Sequence, residues 1–280
     1  MDPLLNDNEP LIRLIAFGSI FLIMVVWEVA QPRRRQRIDR IMRWPGNIAV
    51  VVIDALCVRL LFPLSAIGVA LLCDEKDFGL LNAWQAPTWL AVVIAVIVLD
   101  LVIYLQHVLF HAVPALWRLH RMHHADLEFD VTTGSRFHPF EIILSMLIKL
   151  AVISALGAPA LAVLLFEVLL NATAMFNHSN VRLPSGIDTV LRLFVVTPDM
   201  HRVHHSVVPS EANSNFGFNL PWWDRLFGTY KAQPDAGHEG MTIGVKQIRD
   251  VSEQRLDRML TQPFRGSATG GLLPNDRSQT

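Results

Sequence analysis

The stretch DLVIYLQHVLFHAVPALWRLHRMHH, residues 100–124, carries five of the eleven histidines of this 280-residue chain. They are His107, His111, His120, His123 and His124. Residues three or four apart lie on one face of an α-helix. The spacing therefore predicts groups of imidazoles that turn toward a common point, which is the arrangement that a metal ion needs.

Five more histidines follow in three motifs, HRVHH, RFHPFE and FNHSN, and the first of these repeats the H-x-x-H-H spacing. They are His138, His178, His201, His204 and His205. A mononuclear site uses three or four protein ligands, so ten imidazoles predict two metal ions. Neutral imidazole suits Fe, Zn and Cu alike, so the ligands do not name the metal.

Composition favours a membrane protein, because 52% of the residues are hydrophobic and the mean hydropathy is +0.36. The net charge is −1, so the chain lacks the excess of basic residues that binding to nucleic acid requires. Nucleic acid is therefore excluded as a partner. Cys57 and Cys73 lie in apolar stretches without C-x-x-C spacing, so neither a disulfide framework nor a cysteine metal site is expected.

Four apolar runs predict an all-α integral membrane bundle that forms one domain over residues 1–265. The runs are 11–30, 47–73, 88–111 and 142–176. A cleaved signal peptide is the alternative for the first run, but acidic residues precede it and no small-residue cleavage site follows. The second run is expected to kink at Pro63. The last is too long for one crossing and predicts a hairpin at Gly157-Ala158-Pro159.

Charge predicts the orientation of these helices. Six arginines between Arg33 and Arg43 face one acid, Asp39, so this loop is expected in the cytoplasm. The acid-rich DEKD at 74–77 fits the opposite side. With three crossings and one hairpin, every histidine motif is predicted on the cytoplasmic face, where residues 112–140 and 177–265 form a cap. The Gly-, Ser- and polar-rich tail, residues 266–280, is expected to be disordered.

Short elements of the cap can also be predicted. Pro114 is expected to begin a helix that holds ALWRLHRMHH, and Thr197-Pro198-Asp199 to cap the helix that holds HRVHH. Residues 247–262 could form one amphipathic helix, and the aromatic stretch NSNFGFNLPWWDRLFGTY is expected to be ordered. His238 lies alone in a Gly-rich loop and is assigned no role.

Three further side chains are expected to orient the imidazoles without binding metal themselves. Asp100 and Tyr104 share a helix face with His107 and His111 by their 4-3-4 spacing; the alternative is a polar pair at a helix interface. Asp199 joins them, although it could serve only as the first-turn acid of its helix.

Lys149 and Glu167 stand at nearly the same depth in the arms of the predicted hairpin, eight residues before and ten after Gly157. Unpaired charges in a bilayer cost about 2.5–3.5 kcal/mol each. We therefore predict that the two side chains approach each other, directly or through water or Asn171. In the alternative, Lys149 extends to the interface and Glu167 contacts the bundle interior.

A nitrogen-rich dinuclear centre at the rim of a membrane bundle would meet acyl chains or sterols arriving from the bilayer. Zinc there would suit hydrolysis by a metal-bound hydroxide. Iron would suit O2 activation and attack on a C–H bond. Two other classes stay open: a bis-histidine haem membrane cytochrome, and a metal-binding transport or storage protein.

The order of the motifs resembles the fatty acid hydroxylase superfamily, also called the sterol desaturase family, in a bacterial form near its alkylglycerol monooxygenase branch. The matching motifs run from H-x-x-x-H through H-x-x-H-H, RFHPFE, NHSN and the second H-x-x-H-H to NFG…WWDRLFGTY. The resemblance covers roughly Asp100 to Tyr230, and GMTIGV…LTQPF is similar too.

This resemblance implies a non-haem di-iron enzyme that uses O2 to hydroxylate or desaturate a lipid, with zinc as a substitute metal after purification. It implies a bacterial inner-membrane protein in which all ten histidines named above form the ligand set. Up to two of these ten would support the ligands instead of binding a metal ion themselves. The sequence has no cytochrome b5 motif, dinucleotide loop or Cys cluster. Electrons are therefore expected from a separate ferredoxin, or from a cytochrome with its reductase.

Overall fold

A computed structural model describes residues 3–266 of the chain, and all regular structure in this range is helical, apart from three isolated β-bridges. The helices are α1 Pro3–Ala30, α2 Arg40–Leu61, α3 Ala66–Glu75, α4 Leu80–Ala83, α5 Thr88–Ala112, α6 Pro114–His124, α7 Pro139–Leu156, α8 Ala160–Asn177, α9 Ser185–Leu191, α10 Pro198–His204, α11 Pro209–Ala212, α12 Trp222–Leu226, α13 Gly237–Gly240 and α14 Leu256–Thr261. Short 3-10 helices occupy Thr133–Ser135, Val251–Gln254 and Gln262–Phe264. The predicted disordered tail lies, from residue 267 on, outside the described residues.

Five stretches within residues 3–266 are long and apolar enough to cross a membrane. They are Leu11–Ala30, Arg40–Ala83, Thr88–Ala112, Pro139–Leu156 and Ala160–Asn177. Helix α5 contacts α6, α7 and α8, and α1 packs along α8. The predicted membrane bundle is confirmed to this extent.

The second apolar run differs from its prediction, because it is not one kinked helix. Helix α2 ends at Leu61, and Phe62 adopts an extended backbone with φ −114° and ψ 99°. The following Pro63 disfavours the helical region for Phe62, which explains the break. Ser65 then caps α3 by accepting a hydrogen bond from the Gly68 amide at 3.1 Å. Helix α3 is thus a separate element, packed on α7 and α8.

The predicted hairpin of α7 and α8 is confirmed and turns at Gly157, whose φ is +64°. The loop before α4 packs tightly on this turn, since a Cβ on Gly79 would collide with the Gly157 backbone. The acid-rich loop at 74–77 therefore lies beside the hairpin turn, at the end of α7 remote from His138. A core of small and branched side chains fills this end of the bundle, including Ala70, Ala95 and Ile153.

Lys149 and Glu167 form the predicted ion pair across the hairpin. Glu167 has a further partner, because Arg13 Nη1 of α1 lies 2.8 Å from Glu167 Oε2. Asn171 donates to the Glu167 backbone carbonyl at 2.8 Å rather than to the carboxylate. Three helices, α1, α7 and α8, are therefore joined through one buried carboxylate.

The arginine run packs against the segments that carry the histidines. Arg43 is fully buried, and its Nε and Nη1 donate to Asp126 Oδ1 at 2.6 Å and Asp130 Oδ2 at 2.7 Å. Burial alone would raise the pKa of Asp126, but the Arg43 guanidinium holds that pKa below its ordinary value. Arg34 donates to the Met241 carbonyl at 2.8 Å. The run and the histidine-bearing segments therefore lie at the same end of the bundle.

Residues 247–262 are not the single amphipathic helix predicted above. They form a 3-10 turn, Val251–Gln254, and then α14. Gln254 is fully buried, donating to the Ala125 carbonyl at 3.0 Å and accepting from Arg136 Nη1 at 2.6 Å. A buried amide must satisfy these bonds, and the turn supplies the geometry that one continuous helix face does not. The predicted starts of α6 at Pro114 and α10 at Pro198 are confirmed.

Candidate metal centre

Nine buried histidines gather in two groups, and within each group the candidate ligand atoms all lie within 4.8 Å of one another. The first group is His107, His111, His120, His124 and His204. The second is His123, His178, His201 and His205. The H-x-x-H-H motif of α6 and the one at α10 each contribute histidines to both groups.

The first group is built by α5, α6 and α10. His107 Nε2 lies 3.0 Å from His120 Nε2 and 2.9 Å from His204 Nε2. His111 Nε2 lies 3.1 Å from His124 Nε2. The five Nε2 atoms thus point toward the centre of the group from three helices.

The protonation of this group follows from the other ring nitrogens. His107 Nδ1 donates to the Phe216 carbonyl and His204 Nδ1 to the Ser214 carbonyl, both at 2.8 Å. A carbonyl only accepts, so both Nδ1 atoms carry the proton and a neutral ring leaves Nε2 as a lone pair. Burial, followed by the neighbouring imidazoles, lowers the pKa of His204 well below its ordinary value. Two lone pairs 2.9 Å apart repel unless a cation lies beside them.

Glu141 supports the first group, and the sequence analysis missed it. His120 Nδ1 donates to Glu141 Oε1 at 2.7 Å, and both side chains are buried. Burial lowers the pKa of His120 to about 3, so the ring is neutral, and with its proton on Nδ1 the Nε2 atom is free to coordinate a metal ion. The available signal was an acid in the first turn of α7, three residues after His138 at the rim of the bundle.

The second group uses α6, the end of α8 and α10. His178 Nδ1 donates to the Ala174 carbonyl at 2.9 Å, which leaves its Nε2 as a lone pair 3.1 Å from both His123 Nε2 and His201 Nε2. Burial lowers the pKa of His178 to about 3. His205 is fully buried, and neither of its ring nitrogens has a hydrogen-bond partner. A metal ion would satisfy one of these nitrogens, so the donor set fits the expected ion.

The two groups together fit two transition-metal ions. In both groups the candidate protein ligands are histidine nitrogens. Neutral imidazoles, inward Nε2 lone pairs and carbonyl or carboxylate partners on Nδ1 are the usual features of histidine metal sites. The separations between Nε2 atoms, 2.9–3.1 Å, leave no space for a macrocycle between facing histidines, which argues against the haem alternative.

Comparison with known proteins agrees with this geometry. The model of the fatty acid hydroxylase family matches residues 92–229, a range that contains both histidine groups. This chain belongs to the fatty acid hydroxylase family. The family resemblance of the sequence motifs is thereby confirmed.

Three curated relatives of this family member are informative. An ornithine lipid hydroxylase of Rhizobium tropici is 31% identical over 180 residues, 64% of this chain and 52% of the relative. The human alkylglycerol monooxygenase is 27% identical, over 64% of this chain and 39% of the relative. A fatty acid hydroxylase of a Lecanicillium species is 29% identical, over 56% and 46%. The chain thus spans about half of these relatives or less. No solved structure matches it.

His138 is not brought to either group in this family member. Its Nδ1 accepts from the Phe140 amide at 3.2 Å and caps α7, while its Nε2 donates to the Leu260 carbonyl at 3.2 Å. Both nitrogens are therefore engaged away from the nine histidines. The structure assigns His138 to joining α7 with α14.

His238 was given no role from the sequence, yet its side chain is buried. Its Nε2 lies 3.5 Å from Asp199 Oδ2, which also receives a hydrogen bond from Arg33 Nε at 3.1 Å. Asp199 forms a further ion pair with Arg202, whose guanidinium donates to the Ser179 carbonyl at 3.1 Å. Asp199 thus fixes α10 to the segment after α8, and the neutral His238 ring lies beside this ionic cluster.

Asp100 and Tyr104 bind the chain that carries Phe216. Asp100 accepts from Trp223 Nε1 at 2.8 Å, and Tyr104 shares a 2.9 Å hydrogen bond with Thr229. Asp224 accepts from the Phe216 amide at 2.8 Å, and burial raises the pKa of Asp224 to about 6. Because the Phe216 carbonyl accepts the His107 hydrogen bond, these contacts position His107 through the backbone rather than by touching its ring.

Proposed function

We propose that this protein is an O2-dependent membrane oxygenase that hydroxylates or desaturates a C–H bond of a lipid at two iron ions. The observation that carries the proposal is the pair of buried histidine groups, in which Nε2 atoms face each other at about 3 Å. Between His107 and His204 there is no proton, because both rings donate through Nδ1. The names of the relatives, hydroxylases and monooxygenases of lipids and fatty acids, support the substrate class and the reaction.

The first group would hold one iron and the second the other, with His138 outside both. Iron in such a site supplies O2 activation and hydrogen abstraction, chemistry that protein side chains alone do not provide. The chain's own residues supply the rest. The Phe216, Ser214 and Ala174 carbonyls and the Glu141 carboxylate fix the tautomers of their histidines, so that each Nε2 is presented without a proton.

Burial of the site serves the chemistry in a second way. All nine histidines are nearly inaccessible, with at most 6% of any one exposed to solvent. Exclusion of water keeps reactive species from side reactions. A transport or storage protein would need a route for hydrated ions, and this closed arrangement argues against it.

Orientation and electron supply complete the proposal. We infer from the six arginines between Arg33 and Arg43 that the histidine end of the bundle faces the cytoplasm, and we propose that the membrane is a bacterial inner membrane. Electrons then come from a separate soluble or membrane-bound redox protein. The lipid class, whether fatty acyl, sterol or ether lipid, is set by how the substrate is held beside the site.

Lipid analysis tests this function directly. Lipid extracts of a strain that expresses the protein are compared by mass spectrometry with extracts of a strain that expresses His204→Ala at the same level. We expect one lipid class to gain an oxygen atom or lose two hydrogen atoms only with the native protein. Identical extracts under aerobic growth, with both proteins folded, would contradict an oxygenase.

A further inference from the structure

A cavity of about 150 Å³ lies between α1 and α2, on the membrane side of the histidine groups. Its walls are Phe17 and Phe21 of α1 and Ile48 and Val51 of α2, and its inner end is formed by Thr132 and Ser135. Ile48 is 47% exposed, so the cavity opens sideways between two membrane-spanning stretches. We propose that this groove receives the hydrocarbon chain of the membrane lipid that the enzyme oxidises.

The chemistry of the lining favours a hydrocarbon chain over a polar group. The four wall residues are apolar, and the side chains of Asn47 and Thr132 near the floor already have partners. Asn47 donates to Thr132 Oγ1 at 3.0 Å and accepts from Arg136 Nη1 at 3.1 Å, and the Thr132 hydroxyl donates to Asp130 Oδ1 at 2.6 Å. A headgroup would have to displace these bonds, whereas methylene groups would not.

The size of the groove fits one chain segment. Pockets that enclose whole drug-sized ligands are about 300–1,000 Å³, and this cavity is smaller. A sterol ring system or an entire lipid would therefore remain largely outside. Part of a single chain can fill it while the rest of the molecule stays in the bilayer.

The inner end of the groove adjoins the second histidine group. Gly134 lies between the two floor residues, and a Cβ built on it would stand 3.1 Å from His178 Nδ1 and 2.5 Å from the Ala174 carbonyl oxygen. Only one layer of backbone therefore separates the floor from a ligand ring. Any side chain at residue 134 would push this layer away from His178.

The segment that follows the floor continues toward the same group. The Phe137 ring stacks on His123 with 4.5 Å between centroids and 10° between planes, and Phe137 is only half-buried. A chain that passes Ser135 would meet this ring before it meets a ligand. Phe137 thus links the end of the groove, at Ser135, to the second group.

Photo-crosslinking tests occupancy of the groove without requiring turnover. Metal-loaded protein in nanodiscs is irradiated with phosphatidylcholine that carries a diazirine on one acyl chain, and labelled peptides are mapped by mass spectrometry. We expect labelling of Phe17–Phe21 and Ile48–Val51. Val51→Phe should fill the groove and lower this labelling about tenfold, the equivalent of about two buried methylene groups. Val52→Phe is the matched control, because Val52 is 54% exposed on the outer face of α2.

Lipid conversion in cells supplies the second readout, since the role of the groove rests on the proposed function. Val51→Phe should lower conversion and Val52→Phe should not, while both variants retain their metal. Labelling that is no stronger in the groove than at residue 52 would overturn the inference. Labelling lost in Val51→Phe with conversion unchanged would also overturn it, because the bound lipid would not be the substrate. Groove labelling without conversion by the native protein would instead refute the proposed function.

Discussion

Glu141 offers a quantitative test of how the first histidine group is organised. Its Oε1 receives the His120 Nδ1 proton at 2.7 Å, in a place where both side chains are about 4% exposed. Loss of such a support for a ligand typically costs about 10–100-fold in metal affinity, which corresponds to about 1.4–2.7 kcal/mol. An amide can still accept the proton without the charge, so we expect about a tenfold loss in Glu141→Gln and about a hundredfold loss in Glu141→Leu.

The same substitutions should not weaken the metal-free fold. Glu141 Oε2 is buried without a hydrogen-bond partner, and removing an unsatisfied carboxylate oxygen offsets the loss of the His120 bond. The assay is metal retention against increasing chelator concentration, together with thermal unfolding of the metal-free protein in detergent. Glu75→Gln, at an exposed site on the remote end, is the control. Equal metal retention in Glu141→Leu and the native protein would refute the reasoning, and so would loss of folding before loss of metal.

Three further outcomes follow from the structure. His138→Ala should keep the full metal content and lose stability through the α7 cap, and release of metal at unchanged stability would contradict this. Lys149→Glu should lower the folded yield. Adding Glu167→Lys should restore the yield only in part, because Arg13 of α1 would then face a lysine. Full restoration would argue against the contact between Arg13 and Glu167. Cysteines at Arg35 and Glu75 should be labelled by an impermeant reagent from opposite sides of the membrane, and labelling from one side alone would contradict the topology.

Much of this arrangement could be predicted from the sequence because the histidine motifs and the membrane helices obey strong periodic rules. The 3-4 spacing in residues 107–124 determines which imidazoles share a face, and hydropathy locates the stretches that are long and apolar enough to cross a membrane. The hairpin at Gly157 follows from the length of its apolar run. The contact of Lys149 with Glu167 follows from the cost of charge in a bilayer.

The remainder depends on contacts between distant segments, which no local pattern encodes. The charge pattern predicts Arg43 in a cytoplasmic loop, yet its side chain is buried against Asp126 and Asp130. His138 shares its chemistry with the ligands but is used as a helix cap. Glu141 could be recognised only once α6 and α7 were placed side by side. Sequence order alone does not separate the nine histidines into groups of five and four.

The metal content of the purified chain tests the central claim most directly. Protein purified without oxygen and loaded with iron should hold close to two ions per chain, and His178→Ala, which removes one donor from the second group alone, should hold close to one. The first group should remain filled in that variant, since its five donors do not include His178. A content near one in the native protein, or near two in His178→Ala, would contradict two separate histidine sites.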